Sequence, residues 1–158
     1  MLRLSRMTDY AVVVMAQLAA SPGEVMTATE VAEHVGLPAP TTAKVLKLLA
    51  RHGLVSSHRG VSGGYVTTRA ADTITLTEVI TAIDGPVALT ACVDGAVGQC
   101  VAESVCPVHG RWDRVNTVIK AALDDISLAE LTAPRALFPP PATRPPRGTM
   151  RAEDFEHA

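Results

Sequence analysis

Aromatic residues and long apolar runs are both scarce in this chain of 158 residues. Its aromatic side chains are one Trp, two Tyr and two Phe, although 47% of its residues are hydrophobic. A core must therefore be built from Val, Leu, Ile and Ala, which suits packed helices. No run approaches the ~18 apolar residues of a membrane span, and the N-terminal stretch is too polar for a secretory signal. We expect one domain of a cytoplasmic protein, with no membrane partner.

Cysteine is also sparse, and its number is odd. An odd number of thiols argues against a closed disulfide framework, and cytosolic thiols stay reduced. All three fall in one short stretch, as Cys92, Cys100 and Cys106, and His109 follows the last of them by three residues. This concentration indicates a metal site, because thiolates and imidazole suit both iron–sulfur clusters and zinc.

The spacing of the cysteines bears on which metal the site would take. Zinc sites usually contain a tight C-x2–4-C pair, whereas these three cysteines follow a C-x7-C-x5-C pattern. The long gaps favour a cluster, which is larger than one ion and tolerates ligands spread along a loop. Three alternatives stay open: a structural zinc ion, reactive thiols at Cys92 and Cys100 that sense oxidants directly, and cysteines buried as small hydrophobes.

Acidic residues are missing from one window. No Asp or Glu occurs between His34 and Ala71, although the net charge of the whole chain is −2. The window carries a charge of +5, from Lys44, Lys47, Arg51, Arg59 and Arg69. Charges are felt over roughly a Debye length of ~8–10 Å, so a local basic patch suffices to attract phosphates. The window therefore predicts contact with nucleic acid.

Helix signals surround this basic window. A first helix is expected over residues 8–20, and Thr27 with Glu30 forms a capping box that opens a second. Pro38 and Pro40 introduce a third helix, which Gly53 ends. Two short helices joined by a tight turn predict a helix-turn-helix. The residues of the third helix expected to contact DNA are Thr41, Thr42, Lys44, Lys47 and Arg51. The alternative is a solvated surface helix.

A glycine-rich hairpin follows the third helix. Residues 54–58 and 65–69 both suit strands, and three glycines in the six residues between them permit a tight turn. A hairpin directly after a recognition helix is typical of a wing. Arg59 at its base could contact a phosphate or enter a minor groove. An ordinary hairpin with no role in DNA binding is the alternative.

The remaining signals concern the C-terminal part of the chain. Thr75 and Glu78 repeat the capping box and open a helix that Gly85 ends. From residue 111 a longer helix carries an apolar seam with spacings of 3, 4, 3 and 4, formed by Trp112, Val115, Ile119, Ala122 and Ile126. So narrow a seam favours pairing with a second copy of the chain. Packing within one chain is the alternative.

Several motifs resemble one family of regulators. They are Thr8-Asp9-Tyr10, the wing sequence RGVSGGY, and the three-cysteine loop before a long helix. Together they resemble the IscR/NsrR-type iron–sulfur regulators of the Rrf2 family. Three segments (KLLARHGLVSS, VITAIDGPVALTACV and VCPVHGRWDRVN) are similar to the branch that regulates the SUF cluster-assembly operon. The resemblance covers about residues 1–131.

The resemblance implies a homodimeric, non-enzymatic regulator that binds a double-stranded DNA operator. Cys92, Cys100 and Cys106 match the cluster thiolates, and the fourth ligand is matched by His109 or alternatively by Asp9. It implies an iron–sulfur cluster, with 2Fe-2S favoured over 4Fe-4S, and control of cluster-assembly genes. The first cysteine gap has seven residues where the best-known members have five. The alternative is a zinc-stabilised or thiol-redox-sensing regulator without a cluster.

The expected fold class is mainly α, with a winged helix-turn-helix DNA-binding domain followed by a long dimerisation helix. We expect the DNA-binding domain at residues 1–85, the cysteine-rich cluster loop at 86–110 and the dimerisation helix at 111–131. Residues 132–158 contain six of the eleven prolines and are expected to be a disordered tail, because such a segment buries too little apolar surface.

Overall fold

Six α-helices and one hairpin make up the part of the chain that the structure describes. A computed structural model describes residues 3–60, 62–93, 106–108 and 110–133. In chain order the elements are α1 (Arg6–Ala20), α2 (Ala28–Val35), α3 (Ala39–Arg51), β1 (Val55–His58), β2 (Gly64–Thr67), a 3-10 turn (Ala71–Thr73), α4 (Leu76–Asp84), α5 (Arg111–Asp124) and α6 (Leu128–Thr132).

Helix α1 is the central element of the core. It begins two residues earlier than the sequence predicted, because the Ser5 side chain accepts a hydrogen bond from the Thr8 backbone N–H and caps the helix. Its inner face carries Ala11, Val14 and Met15, which are fully buried. This face packs against α2, α3, α4 and α6, so α1 is in contact with four of the five other helices.

Helices α2 and α3 form the predicted helix-turn-helix. The capping box at the start of α2 is confirmed: Thr27 N–H donates to Glu30 Oε2 over 2.7 Å, and Glu30 N–H donates to Thr27 Oγ1 over 3.2 Å. Gly36 ends α2 in the left-handed conformation, with φ of 69°. On the inner face of α3, Leu46 and Leu49 have no exposed surface. The opposite face of α3 is left to solvent.

The predicted wing is present as an antiparallel pair of strands. Ser57 of β1 lies opposite Tyr65 of β2 in the register. Tyr65 also exchanges two backbone hydrogen bonds with Met26, of 2.7 and 3.0 Å, which fasten the wing to the chain just before α2. Gly64 makes this contact possible, since a Cβ there would lie 2.4 Å from the Met26 carbonyl oxygen. Backbone hydrogen bonds therefore hold the wing against the start of the helix-turn-helix.

The C-terminal helices differ from the expected division of the chain. The capping box of Thr75 and Glu78 is confirmed at the start of α4. Helix α5 ends at Asp124, so Ile126 lies beyond it, and the Ile126 carbonyl accepts a hydrogen bond from Leu76 N–H over 2.9 Å. Leu128 of α6 is 1% exposed and belongs to the core around α1. Residues 111–131 are therefore not one helix, and α6 is part of the core around α1.

Some expectations fall on residues that the structure does not describe. Cys100 and His109 lie outside the described residues, and so does the tail from residue 134 onward. The predicted division of the chain into four segments otherwise stays a prediction.

Candidate DNA interface and cysteine segment

The outward face of α3 carries the basic residues that the sequence singled out. Lys44, Lys47 and Arg51 are all exposed, and none has an ion-pair partner among the described residues. Their spacing of three and four places them along one side of a helix. Thr41 is half-buried at the start of that side. This face offers cationic groups that no acid of the described chain neutralises.

Thr42 does not belong to that face. Its side chain is fully buried, and its hydroxyl donates to the Pro38 carbonyl oxygen over 3.3 Å. Helical geometry turns Thr42 about 100° away from Thr41 and toward the core. We therefore correct the sequence prediction and remove Thr42 from the set of DNA-contacting residues.

The wing adds exposed polar groups beside α3. His58 and Arg59, at the end of β1, are exposed. The His58 ring nitrogen Nε2 lies 3.3 Å from Ser56 Oγ, close enough for a hydrogen bond. Strand β1 follows α3 after a three-residue turn and packs against it. The wing thus adds one exposed arginine and one exposed histidine next to α3.

The fifth cation of the basic window has a structural role. Arg69 donates from Nη2 to Glu78 Oε1 over 2.6 Å and from Nη1 to the Thr73 carbonyl over 3.1 Å. Burial raises the pKa of Glu78, but hydrogen bonds from the Thr75 backbone and from Arg69 outweigh that effect and leave the pKa below its usual value. Arg69 therefore holds the start of α4, and its charge is locally compensated.

Two of the three cysteines lie in described positions. Cys92 and Cys106 are both half-buried free thiols, and the Cys92 sulfur lies 3.2 Å from Thr90 Oγ1, within hydrogen-bonding distance. The described residues alone contain no group of three or more potential metal ligands. Reduced, partly accessible thiols are the donors that iron–sulfur clusters and zinc require, so the donor set fits either metal centre.

Helix α5 holds the chain that leads to Cys92. The Asn116 side chain accepts a hydrogen bond from Leu89 N–H over 3.1 Å and donates one to the Val87 carbonyl over 3.1 Å. It is 7% exposed, and both its amide oxygen and its amide nitrogen are used. Asn116 was not singled out from the sequence, because its partners lie 27 and 29 residues away and no local pattern marks them.

A second polar contact lies where this segment begins. Asp84 Oδ2, at the end of α4, accepts hydrogen bonds from Thr8 Oγ1 over 2.7 Å and from Ser5 N–H over 3.3 Å. Burial raises the pKa of Asp84, but these hydrogen bonds outweigh it and lower the pKa. Asp9, the alternative fourth ligand, is exposed on the first turn of α1, directly after Thr8.

The predicted apolar seam of α5 divides between two environments. Trp112 and Val115 are 40% and 42% exposed, whereas Ile119 is half-buried and lines a groove of about 380 Å³ beside α4. Val118, which the seam did not include, is 63% exposed. Ala122 is exposed. The outward apolar face of α5 is therefore centred on Trp112, Val115 and Val118.

The described helices carry no membrane signal. None of them combines the length and the apolar character that crossing a lipid bilayer requires.

Comparison with known proteins identifies the family. Over residues 4–134 the chain matches the Rrf2 family, described as iron-dependent transcriptional regulators. The chain belongs to the Rrf2 family. It is 34% identical over 133 residues to the HTH-type transcriptional regulator IscR of Sodalis glossinidius, covering 84% of this chain and 79% of that protein. It is 33% identical over 132 residues to IscR of Escherichia coli O1:K1, covering 82% and 80%.

Solved structures agree with this assignment. IscR of T. potens is 29% identical with a TM-score of 0.59, over 88% of this chain and 93% of that one. CymR, the global cysteine regulator of B. subtilis, is 26% identical with a TM-score of 0.63, over 84% and 97%. These relatives are transcriptional regulators and not enzymes. This Rrf2 protein is accordingly a DNA-binding transcriptional regulator of the IscR type, with a mainly helical fold and a two-stranded wing.

Proposed function

We propose that this Rrf2 protein changes its affinity for an operator when an iron–sulfur cluster is gained, lost or oxidised at its cysteines. The observation that carries the proposal is the position of Cys92. Cys92 lies at the end of a segment that begins at Asp84. Asp84 is hydrogen-bonded to α1, and Asn116 of α5 is hydrogen-bonded to the backbone of this segment. A change in the position of Cys92 would therefore affect both α1 and α5.

Three thiols of this chain would hold the metal centre. Cys92, Cys100 and Cys106 provide soft ligands, and His109 or Asp9 provides the fourth. When bound, a cluster would be held by these side chains, would thereby join distant parts of the loop, and would change its charge with its oxidation state. We propose 2Fe-2S in preference to 4Fe-4S, following the resemblance. The genes controlled would be those of cluster assembly.

The DNA contact is assigned to α3 and the wing. Lys44, Lys47 and Arg51 would enter or flank a major groove with α3, and Arg59 would contact the backbone or a minor groove. Thr41 lies one turn before Lys44, near the start of α3, and is available for a phosphate contact. A lysine that meets only phosphates adds affinity to every sequence alike, whereas one that reads a base adds it selectively.

A homodimer would present two such faces to one operator. The outward face of α5, formed by Trp112, Val115 and Val118, is the apolar surface proposed to pair with a second copy. Two recognition helices must lie about one DNA turn apart, ~34 Å, to enter successive major grooves. Substituting Val118→Glu should convert the dimer into a monomer in sedimentation experiments. Thr117→Glu, an exposed change on a different side of the same helix, is its control.

The metal centre is tested by spectroscopy of protein purified without oxygen. We expect broad visible absorption bands together with stoichiometric iron and sulfide. Cys106→Ser should abolish the bands and leave the far-ultraviolet circular dichroism spectrum unchanged. Bands that persist in Cys106→Ser would refute the ligand assignment.

Zinc and thiol oxidation give different results in the same experiment. A colourless wild type that contains zinc would support the structural-metal alternative, since the C-x7-C-x5-C donors can also hold Zn²⁺. A colourless, metal-free protein that takes up no iron and sulfide under anaerobic reconstitution would support direct thiol sensing. The wild-type spectrum therefore separates the three candidate mechanisms.

A further inference from the structure

We propose that Asp84 and Asn116 are positioning residues that fix the segment leading to Cys92 onto α1 and α5, so that a change at this cysteine is passed to both helices. The inference rests on the proposed function, because it concerns how a signal at the cysteines reaches the DNA-binding face. Neither residue is among the proposed metal ligands or DNA contacts. Each acts by fixing the position of the groups to which it is hydrogen-bonded.

The Asp84 contact joins parts of the chain that are far apart in sequence. Thr8 Oγ1 donates to Asp84 Oδ2 over 2.7 Å, across a separation of 76 residues. Thr8 is fully buried, so water does not compete for its hydroxyl. Hydrogen bonds to an ionised carboxylate are shorter and stronger than neutral ones. The contact therefore ties the end of α4, where the cysteine segment begins, to the first turn of α1.

Helix α1 carries this restraint into the DNA-binding core. Its buried residues Val14 and Leu18 belong to the same cluster as Val45 and Leu49 of α3. Closely packed side chains move together rather than deforming one at a time. A shift of the first turn of α1 would therefore change how α3 is supported, without any direct contact between the cysteines and DNA.

Asn116 provides the corresponding restraint on α5. Its amide oxygen and nitrogen bond the backbone of Leu89 and Val87 respectively, and it is the one buried residue of α5 in the described chain. Removing a buried partner leaves the remaining polar groups unsatisfied, which is costly. Val93, directly after Cys92, is 5% exposed. The segment is thus fixed to α1 at Asp84 and to α5 through Asn116.

The experiment compares operator binding in two states of each variant. The probe is a DNA duplex selected by the wild-type protein from a random-sequence pool, and the protein is the full chain. Its dissociation constant is measured for protein loaded anaerobically with iron and sulfide and for the same protein after chelation. The ratio of the two constants is the coupling factor. Thr8→Val, which keeps the side-chain shape but removes the hydroxyl, and Asn116→Leu should each bring the ratio at least about twofold closer to one.

Matched variants separate positioning from simple loss of stability. Thr8→Ser retains the hydroxyl and should restore the wild-type ratio. Thr117→Val removes a hydroxyl that, among the described residues, bonds only within α5, to the Asp113 carbonyl, and should leave the ratio unchanged. A readout that needs no metal is amide hydrogen exchange after chelation: the N–H of Leu89 should exchange faster in Asn116→Leu but not in Thr117→Val.

The possible failures are distinguishable. A wild-type ratio equal to one would overturn the proposed function, and this inference with it. A wild-type ratio that differs from one, and that Thr8→Val and Asn116→Leu both retain, would overturn this inference alone. A ratio that falls in Thr8→Val and is not restored in Thr8→Ser would also overturn it, because the hydroxyl would then not be the cause.

Discussion

Salt dependence of DNA binding tests the assignment of the basic face most sharply, through the variant Lys47→Ala. Lys47 is exposed on α3 without an ion-pair partner in the described chain, whereas Arg69 of the same basic window is bonded to Glu78. The two residues carry the same formal charge in different surroundings. Lys47→Ala and Arg69→Ala therefore form a pair in which only the first should change the interaction with phosphates.

The magnitude follows from counterion release. Each phosphate contact contributes about −0.9 to the slope of log affinity against log salt concentration. If Lys44, Lys47, Arg51 and Arg59 of both copies in a dimer all meet phosphates, the slope is about −7. Lys47→Ala removes one such contact from each copy and should reduce the slope by about 2, whereas Arg69→Ala should change it by less than about 0.5.

The assay is fluorescence anisotropy with a labelled duplex over a series of sodium chloride concentrations. Thermal unfolding of each variant is the control for folding, and the exposed Arg69–Glu78 pair is worth only ~0–1 kcal/mol of stability. An unchanged slope in Lys47→Ala would refute the assignment of α3 as the phosphate-contacting face. An equal reduction in Arg69→Ala would refute the reasoning that separates the two cations.

Three further predictions concern stability and the wing. Leu128→Ala should lower the free energy of unfolding by about 2–5 kcal/mol because it empties a buried core position, whereas the exposed control Leu4→Ala should cost less than about 0.5 kcal/mol in chemical denaturation. Gly64→Ala should weaken DNA binding and speed amide exchange at the Tyr65 N–H, because its Cβ meets the Met26 backbone; unchanged exchange would contradict this seating of the wing. Glu78→Gln should destabilise the protein at pH 7 by less than about 1 kcal/mol, since solvent screens the pair. The Glu78 pKa is lowered on folding, so this difference is present above the unfolded pKa and should vanish as the pH falls through the folded one.

The sequence was informative wherever the structure depends on neighbouring residues. The capping boxes of Thr27 and Thr75 each need residues only three positions apart, and both are confirmed. The wing was predictable because its glycines and strand residues are adjacent in the chain. In each case a side chain and the backbone group it satisfies lie within one turn, so local pattern decides the outcome.

The sequence was less informative where distant residues meet. The contacts of Asp84 with Thr8 and of Asn116 with Leu89 span 76 and 27 residues. No local sequence pattern predicts such contacts. The seam on α5 was only partly right, since Ile119 faces the groove beside α4 while the neighbouring Val118 faces solvent. Periodicity identifies an apolar side of a helix but not the surface that covers it. Thr42 was misassigned because a threonine fits either a core or a DNA-facing position.

The most direct test of cluster-controlled DNA binding uses one anaerobic preparation of wild-type protein. Its affinity for the selected duplex is measured with the cluster present, then after iron removal, and again after reconstitution, at one fixed salt concentration. We expect the affinity to change at least ~5-fold on iron removal, within the range usual for coupled sites, and to return on reconstitution. Equal affinity in all three states, with folded protein throughout, would contradict it.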